Sequence, residues 1–394
     1  MFTATDIKNP IFLTQELLKI NSVTPNSNSV IELFSCLCKN IGINGETVIF
    51  SDNASYDVAN FYGSIGSGGP HLMYSGHLDV VPPGNINEWK YDPFGAIIDD
   101  NLLYGRGAVD MKGGLASMLA SVARFLHNYP NFPGKISFLV TGDEESLAIN
   151  GTKKLLAWAA EKNEKWDAAI NGEPTSVNKL GDTIKIGRRG SLSAILKIKG
   201  KQGHVAYPQL ANNPLPTLLD ILQIFIAQKL DNGNENFDPS NLELTSIDTG
   251  NDATNVIPMQ ASASFNIRFN DNWTSVQLIE KIETILAEYF TDKDFKYKIN
   301  WIKNPSESFI ANSPKLVNNL SQAIEEITNI KTRKSTSGGT SDARFIKNYC
   351  PVIDFGLTNK TMHAVNEAVD ITDLEELTKI YYRFLEIFFQ VNNK

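Results

Sequence analysis

Strand-like and helix-like runs alternate along most of this chain, and the alternation breaks once, between about residues 190 and 303. That interruption limits the fold more than any other feature. Residues 71–75 read as a buried strand, and 112–127 as a helix with Leu115, Met118, Leu119, Val122 and Leu126 on one face. Residues 102–109, 136–141 and 167–171 read as strands, with a helix at 152–161. Far downstream, 352–357 reads as another strand and 374–389 as a closing amphipathic helix. Strands alternating with helices predict an α/β domain.

The interrupting stretch obeys a different rule. Residues 191–199 alternate, with Leu192, Ala194, Leu196 and Ile198 set against Ser193, Lys197 and Lys199, and only Ile195 out of step. A helix at 215–230, strands at 242–247 and 261–269, a helix at 275–289 and a strand at 295–301 follow. The order β-α-β-β-α-β is the split, ferredoxin-like one. With 394 residues, more than one core usually supports, two domains are expected. The first comprises residues 1–189 and 304–394; the second, residues 190–303, is an α+β domain inserted into it.

In open α/β sheets, ligands bind beyond the carboxyl ends of the strands. Five segments deliver His, Asp or Glu to such positions. His77 and Asp79 follow the strand at 71–75, and Asp110 follows 102–109. Asp143, Glu144 and Glu145 follow 136–141, Glu173 follows 167–171, and His363 comes after 352–357. Taken singly, each has an ordinary reading: a structural histidine, a turn or cap acid, a solvated acidic loop. Their coincidence favours a site, since two of only five histidines fall just past strand ends. Imidazole and carboxylate suit zinc. Two metals about 3.5–4 Å apart need a bridging carboxylate, for which Asp110 is a candidate. Asp79 can hydrogen-bond the second ring nitrogen of His77. Of the adjacent Glu144 and Glu145, one can ligate while the other stays free as a base. On spacing alone, a metal site and unrelated loop residues both remain open.

The net charge of −8 and pI near 5.3 exclude a sequence-wide basic footprint for nucleic acid. The first fifteen residues lack the pattern of a secretory leader. No stretch approaches the roughly 20 apolar residues of a membrane span. Three cysteines cannot all pair, which fits a reducing cytoplasm.

Nine segments carry a family resemblance: MYSGHLDVVPPG (73–84), LYGRGAVDMKGG (103–114), TGDEES (141–146), NGEPTS (171–176), IGRRGSLSA (186–194), KGKQGHVAYP (199–208), TNVIP (254–258), SGGTSDARF (337–345) and FGLTNKTMHAVNE (355–367). In these the chain resembles, nearly end to end, the succinyl-diaminopimelate desuccinylase branch of the co-catalytic zinc amidohydrolases. That family also includes acetylornithine deacetylase and glutamate carboxypeptidases. The first four segments are shared widely within it, and the last five resemble the desuccinylase branch.

The resemblance implies a zinc-peptidase-like catalytic domain and an inserted dimerisation domain. One zinc would be held by His77 and Glu173, the other by Glu145 and His363, with Asp110 bridging through a residue whose peptide bond to Met111 is cis. Two zinc ions per subunit are implied, with cobalt able to substitute. Glu144 would be the general base and acid, Asp79 the partner of His77, and His204 a donor to a neighbouring subunit's oxyanion. The anionic N-acyl amino-acid substrate would be met by Arg188, Ser191, Asn255, Arg268, Gly339, Thr340 and Asn359. Arg189 and Arg344 are further cationic candidates, and a helix from about Ser341 would add backbone amides. The implied reaction is hydrolysis of N-succinyl-LL-2,6-diaminopimelate in a cytoplasmic homodimer with no nucleic-acid or membrane partner. Deacetylation of N-acetylornithine, a related aminoacylase or carboxypeptidase activity, and a metal-free scaffold are the alternatives.

Overall fold

An eight-stranded sheet organises the larger part of the chain, in the order Asn44–Asp52, Ser55–Gly66, Lys135–Thr141, His71–His77, Ala168–Asn171, Val352–Asp354, Thr183–Lys185 and Arg333–Ser335. The computed structural model describes residues 2–53, 55–302 and 305–391. The four strands at the centre of the sheet run parallel. Their carboxyl ends therefore open on one edge. From His71–His77 the chain passes to one side, to Lys135–Thr141, and then returns to the other, to Ala168–Asn171. That reversal makes a topological switch point, where a crevice forms beyond the strand ends.

Every residue of His71–His77 is buried, as the near-continuous apolar run of a two-face-covered parallel strand requires. Helix Lys112–Asn128 is buried along almost its whole length. Its Arg124 grips Glu375 of helix Ile371–Phe388 in bidentate fashion at 2.6 and 2.7 Å. From helix Asn28–Asn40, Phe34 sets its ring edge-on to Phe61 and Phe138, with centroids 5.9 and 5.6 Å away. Full burial of such a side chain contributes about 1.5–3 kcal/mol.

The chain divides into two compact units. The first holds the described residues up to Gly187, Ala311–Ser335, and those from Ser341 onward; the second holds Arg188–Ile310 and Thr336–Thr340. The second unit has a four-stranded antiparallel sheet in the order Asn241–Asp248, Gln260–Phe269, Gly190–Lys199, Lys296–Trp301. This is the ferredoxin-like arrangement. Leu192, Ala194, Leu196 and Ile198 form its buried face with helices Pro214–Ile226 and Ser275–Phe290, and Ile195 lies half-buried on the other face. The expected boundary at 303–304 falls outside the described residues.

Several elements differ from the sequence reading. The expected strand at 102–109 is only Leu102–Tyr104, in a separate three-stranded sheet with Ile97–Asp99 and Ala368–Asp370. Beyond Tyr104 the chain turns through Gly105 and Gly107, the latter at φ 91°, a conformation open to glycine. Asp110 thus comes from a turn, not from a strand of the main sheet. The expected strand at 352–357 ends at Asp354, and the helix at 215–230 runs from Pro214 to Ile226, capped by Asn213. The expected helix from Ser341 is a single turn, Ala343–Ile346, too short to make an anion site at its start. Asp100 and Asn101 both take positive φ, in the turn that joins Ile97–Asp99 to Leu102–Tyr104.

Gly356 is where the strand ends close on one another. A Cβ there would stand 2.6 Å from the carbonyl oxygens of both Gly172 and Glu173. Because these atoms are backbone, neither can swing aside. Gly356→Ala is expected to cost about 1–3 kcal/mol, the usual penalty of overpacking. Urea unfolding measures it; an unchanged midpoint would show that the strand ends can separate freely.

Candidate metal centre

His77 closes a buried strand, and the hydrogen bond on one ring nitrogen fixes what the other can do. Its Nδ1 lies 2.9 Å from the backbone carbonyl of Asp79, so Nδ1 carries the proton and donates. Nε2 then faces Asp110 Oδ1 at 3.1 Å and Glu173 Oε1 at 3.9 Å. In the expected arrangement the Asp79 carboxylate partners His77; here it stands 3.6 Å from Nδ1, and the carbonyl takes the hydrogen bond. The carboxylate is engaged elsewhere. Its oxygens accept from the backbone N–H of Glu144 at 3.2 Å, the N–H of Glu145 at 3.1 Å and Thr24 Oγ1 at 2.8 Å. Asp79 therefore anchors the glutamate pair to the strand end that carries His77.

Asp110 stands between the histidines. Its Oδ1 meets His77, and its Oδ2 lies 3.1 Å from Nε2 of His363. The same His363 nitrogen lies 3.0 Å from Glu145 Oε1. Two groups result, His77–Asp110–Glu173 and Asp110–Glu145–His363, each with ligand atoms within 4.8 Å of one another. The peptide bond from Asp110 to Met111 is cis. Glu173 follows strand Ala168–Asn171, whose Asn171 is tied to Asp354 by a 3.0 Å hydrogen bond. His363 sits in a turn at φ 60°.

The electrostatics follow from crowding. Burial pushes the His77 imidazole down, but the Asp110 hydrogen bond and the charges of Asp110, Glu173 and Asp79 lift it well above the usual histidine range. Hydrogen bonds to Asp110 and then Glu145 lift His363 to about 10. Burial raises the Asp110 carboxyl, yet hydrogen bonds from His363 and His77 hold it below the ordinary value. Burial, and then the charge of Glu173, raise Glu144 well above the usual carboxylate range. The donor set fits two divalent ions of the zinc kind: each group offers imidazole nitrogen and carboxylate oxygen, and one carboxylate presents an oxygen to each group. Glu144 belongs to neither group.

The other expected residues divide between the units. Asn359 is in the first, its N–H bonded to the Ser176 carbonyl at 2.9 Å. Arg188, Ser191, Asn255, Arg268, Gly339, Thr340 and His204 are in the second. There Arg188 donates to the Gly339 carbonyl at 3.0 Å. Ser191 lies opposite Arg268 across two paired strands and accepts from Asn266 at 2.9 Å. Arg268 Nη1 is buried with no hydrogen-bond partner among the described residues; burial, and then the neighbouring Arg189, lower its pKa. Asn255 is exposed, its carbonyl accepting from Val205 at 3.1 Å. His204 is exposed, and its Nδ1 accepts from the Ala206 N–H at 3.0 Å, which puts the neutral ring's proton on Nε2. Arg344, one of the further candidates, stacks on Phe345 at 4.6 Å and lies 4.0 Å from the carboxylate of Asp342. Thr24, Arg106 and Glu367 were not singled out in sequence: their partners lie 55 to 261 residues away.

The chain belongs to the peptidase family M20/M25/M40, whose model matches residues 73–387. Among solved structures it is similar to an M20 family metallo-carboxypeptidase from Sulfolobus solfataricus, at 18% identity and a TM-score of 0.79 over 97% of this chain and 99% of that one. Human carnosine dipeptidase 1 matches at 18% and 0.77, over 98% and 97%. A dinuclear metal binding peptidase from Bacillus subtilis matches at 15% and 0.70, over 99% of each chain. The α/β fold is that of the family, and the chain is a hydrolase of its metal-dependent kind. Among the described residues no helix is long and apolar enough to cross a membrane.

Both imidazoles must lose a proton before they can ligate. With His77 and His363 held above the usual range, metal uptake at neutral pH should release protons, and affinity should rise between about pH 6 and pH 8. Calorimetry in buffers of different ionisation enthalpy measures this. A pH-independent affinity would contradict the assignment of the two rings as ligands.

Proposed function

We propose, with membership of that family as the premise, that the protein hydrolyses N-succinyl-LL-2,6-diaminopimelate to succinate and LL-2,6-diaminopimelate, using two zinc ions per subunit. The observation that carries the hydrolytic reading is Asp110, with one oxygen toward each ligand group and Glu144 left outside both. The substrate rests on the segments resembling the desuccinylase branch, and on Arg268, a half-buried arginine beside Arg189 whose buried Nη1 calls for an anion. A step in lysine and meso-diaminopimelate synthesis in the cytoplasm follows from that substrate. Cobalt is a substitute ion.

Bound at these groups, two zinc ions supply Lewis acidity and make water nucleophilic near neutral pH. Asp79 holds the backbone of Glu144 and Glu145, so that Glu145 ligates while Glu144 takes the proton of the attacking water. The raised proton affinity of Glu144 suits it to hold that proton and pass it to the leaving amine. Arg188, Ser191, Asn255, Arg268, Gly339, Thr340 and Asn359 grip the carboxylates. Nε2 of a partner subunit's His204 donates to the developing oxyanion. A homodimer through the second unit is supported by its edge strand Asn241–Asp248 and by the exposed Leu219, Ile226 and Ile247.

A carboxypeptidase or dipeptidase reading, favoured by the activities named for similar structures, is one rival, and deacetylation of N-acetylornithine is another. Parallel assays with zinc on N-succinyl-LL-2,6-diaminopimelate, N-acetylornithine and a dipeptide separate them. The succinylated compound should be turned over with the highest kcat/KM; preference for either other substrate would overturn the assignment.

Glu144→Gln should keep both metals and lose about 10²–10⁴-fold in rate, the usual contribution of a general base. His204→Ala should also be inactive. Mixed and allowed to exchange, the two inactive variants should regain activity, because a heterodimer holds one site with both groups. Demonstrated exchange without recovery would remove His204 from the reaction.

A further inference from the structure

Arg106 and Glu367 are 2% and 0% exposed, yet the chemistry above uses neither. Arg106 Nη1 donates to Glu367 Oε2 at 2.6 Å, and the same oxygen accepts from the Gly107 N–H at 3.0 Å. The other oxygen accepts from the N–H groups of Val109 at 2.8 Å and Asp110 at 3.2 Å. One carboxylate thus collects three amides of the turn that ends in Asp110. Arg106 Nη2 reaches the carbonyls of His363 and Pro82, both at 3.4 Å. The ion pair therefore touches the segment carrying Asp110 and the segment carrying His363. Two paired strands bring these segments together: Ala368, just after Glu367, lies opposite Tyr104. Gly105 N–H donates to the Glu367 carbonyl at 3.0 Å.

A buried ion pair is weak evidence for stability, because desolvation offsets much of its attraction. Its contacts say more than its charge. Four donors converge on two oxygens, a demand that an apolar pair or an amide of the same size cannot meet. We propose that Glu367, held by Arg106, is a positioning residue that sets the spacing of Asp110 and His363. It thereby sets the affinity of the Asp110–Glu145–His363 group for its ion. This rests on the reading that the two groups hold metal.

Glu367→Gln keeps the size but turns an NH₂ group on either Arg106 or the amides of Val109 and Asp110. Metal-depleted wild type and variant are titrated with Zn²⁺ by calorimetry and with Co²⁺ by visible absorption. Wild type should take two ions. The variant should bind the first as wild type does and the second about 10–100-fold more weakly, as loss of an outer-shell partner does. The cobalt spectrum of the second ion should change with it. Arg106→Lys keeps the charge without the fork, and should weaken the same ion by less. Two ions bound with wild-type affinities, or both weakened equally, would overturn the proposal while leaving the metal centre intact. Should Glu367→Gln not fold, Arg106→Lys decides by the same readings. A wild-type protein that takes up fewer than two ions overturns the metal-centre reading and this inference with it.

Discussion

Negative charge crowds the edge of the central sheet: Asp79, Asp110, Glu144, Glu145 and Glu173 share it with two imidazoles. A carboxylate taken out of water without a partner costs several kcal/mol, so each has to be answered. Asp79 is answered by two amides and a hydroxyl, and Asp110 by two histidines. Glu367 is answered by a guanidinium and three amides. Much of the local backbone follows from these answers. The Asp110 turn winds so that its amides converge on Glu367, and the segment 142–145 is drawn to the end of strand His71–His77. Burial, and then the charge of Glu173, leave Glu144 with a proton affinity well above the usual carboxylate range. Glu144 is thus well placed to carry a proton.

The parts of this architecture with a strong period were legible in sequence. Leu192 to Ile198 alternates because one face of its strand is buried, and the helix at Lys112–Asn128 shows its apolar face. His77, Glu145 and Glu173 stood out because parallel strands deliver their following residues to one edge, whereas Asp110 comes from a turn outside that sheet. The hairpin strand Asn44–Asp52 did not stand out, since almost all its residues are exposed and no burial imprints a period on it. Residues 102–109 read as one strand because Ala108 and Val109 are apolar. They are buried in a turn, and the group that holds that turn, Glu367, lies 258 residues from Val109. Asp79 was matched to its neighbour by proximity along the chain; the use of its carboxylate depends on Glu144 and Glu145, 65 and 66 residues on. Non-local polar contacts leave no local signature.

Family membership and the proposed selectivity have different sources here. The sheet, its switch point and the acidic edge belong to the first unit and to a fold that hosts carboxypeptidases and dipeptidases alike. Arg268, Ser191 and Arg188 belong to the second unit, the first two on a sheet whose opposite face is apolar. The candidate metal ligands and the residues proposed to meet an anion are thus encoded in separate units.

The first unit is discontinuous in sequence, and that sets an order of manufacture. Asn171 and Asp354 sit on neighbouring strands and bond to each other across 183 residues of chain. Closing so long a loop costs little at equilibrium, since each doubling of length adds only about 0.6 kcal/mol. During synthesis it costs time. His77, Asp110, Glu145 and Glu173 leave the ribosome early, while His363, and Glu367 just behind it, wait for the whole second unit to be made. A nascent chain halted between Glu173 and His363 carries Arg106 and four of the five candidate ligands without the second histidine and without Glu367, the carboxylate that gathers the amides of the Asp110 turn.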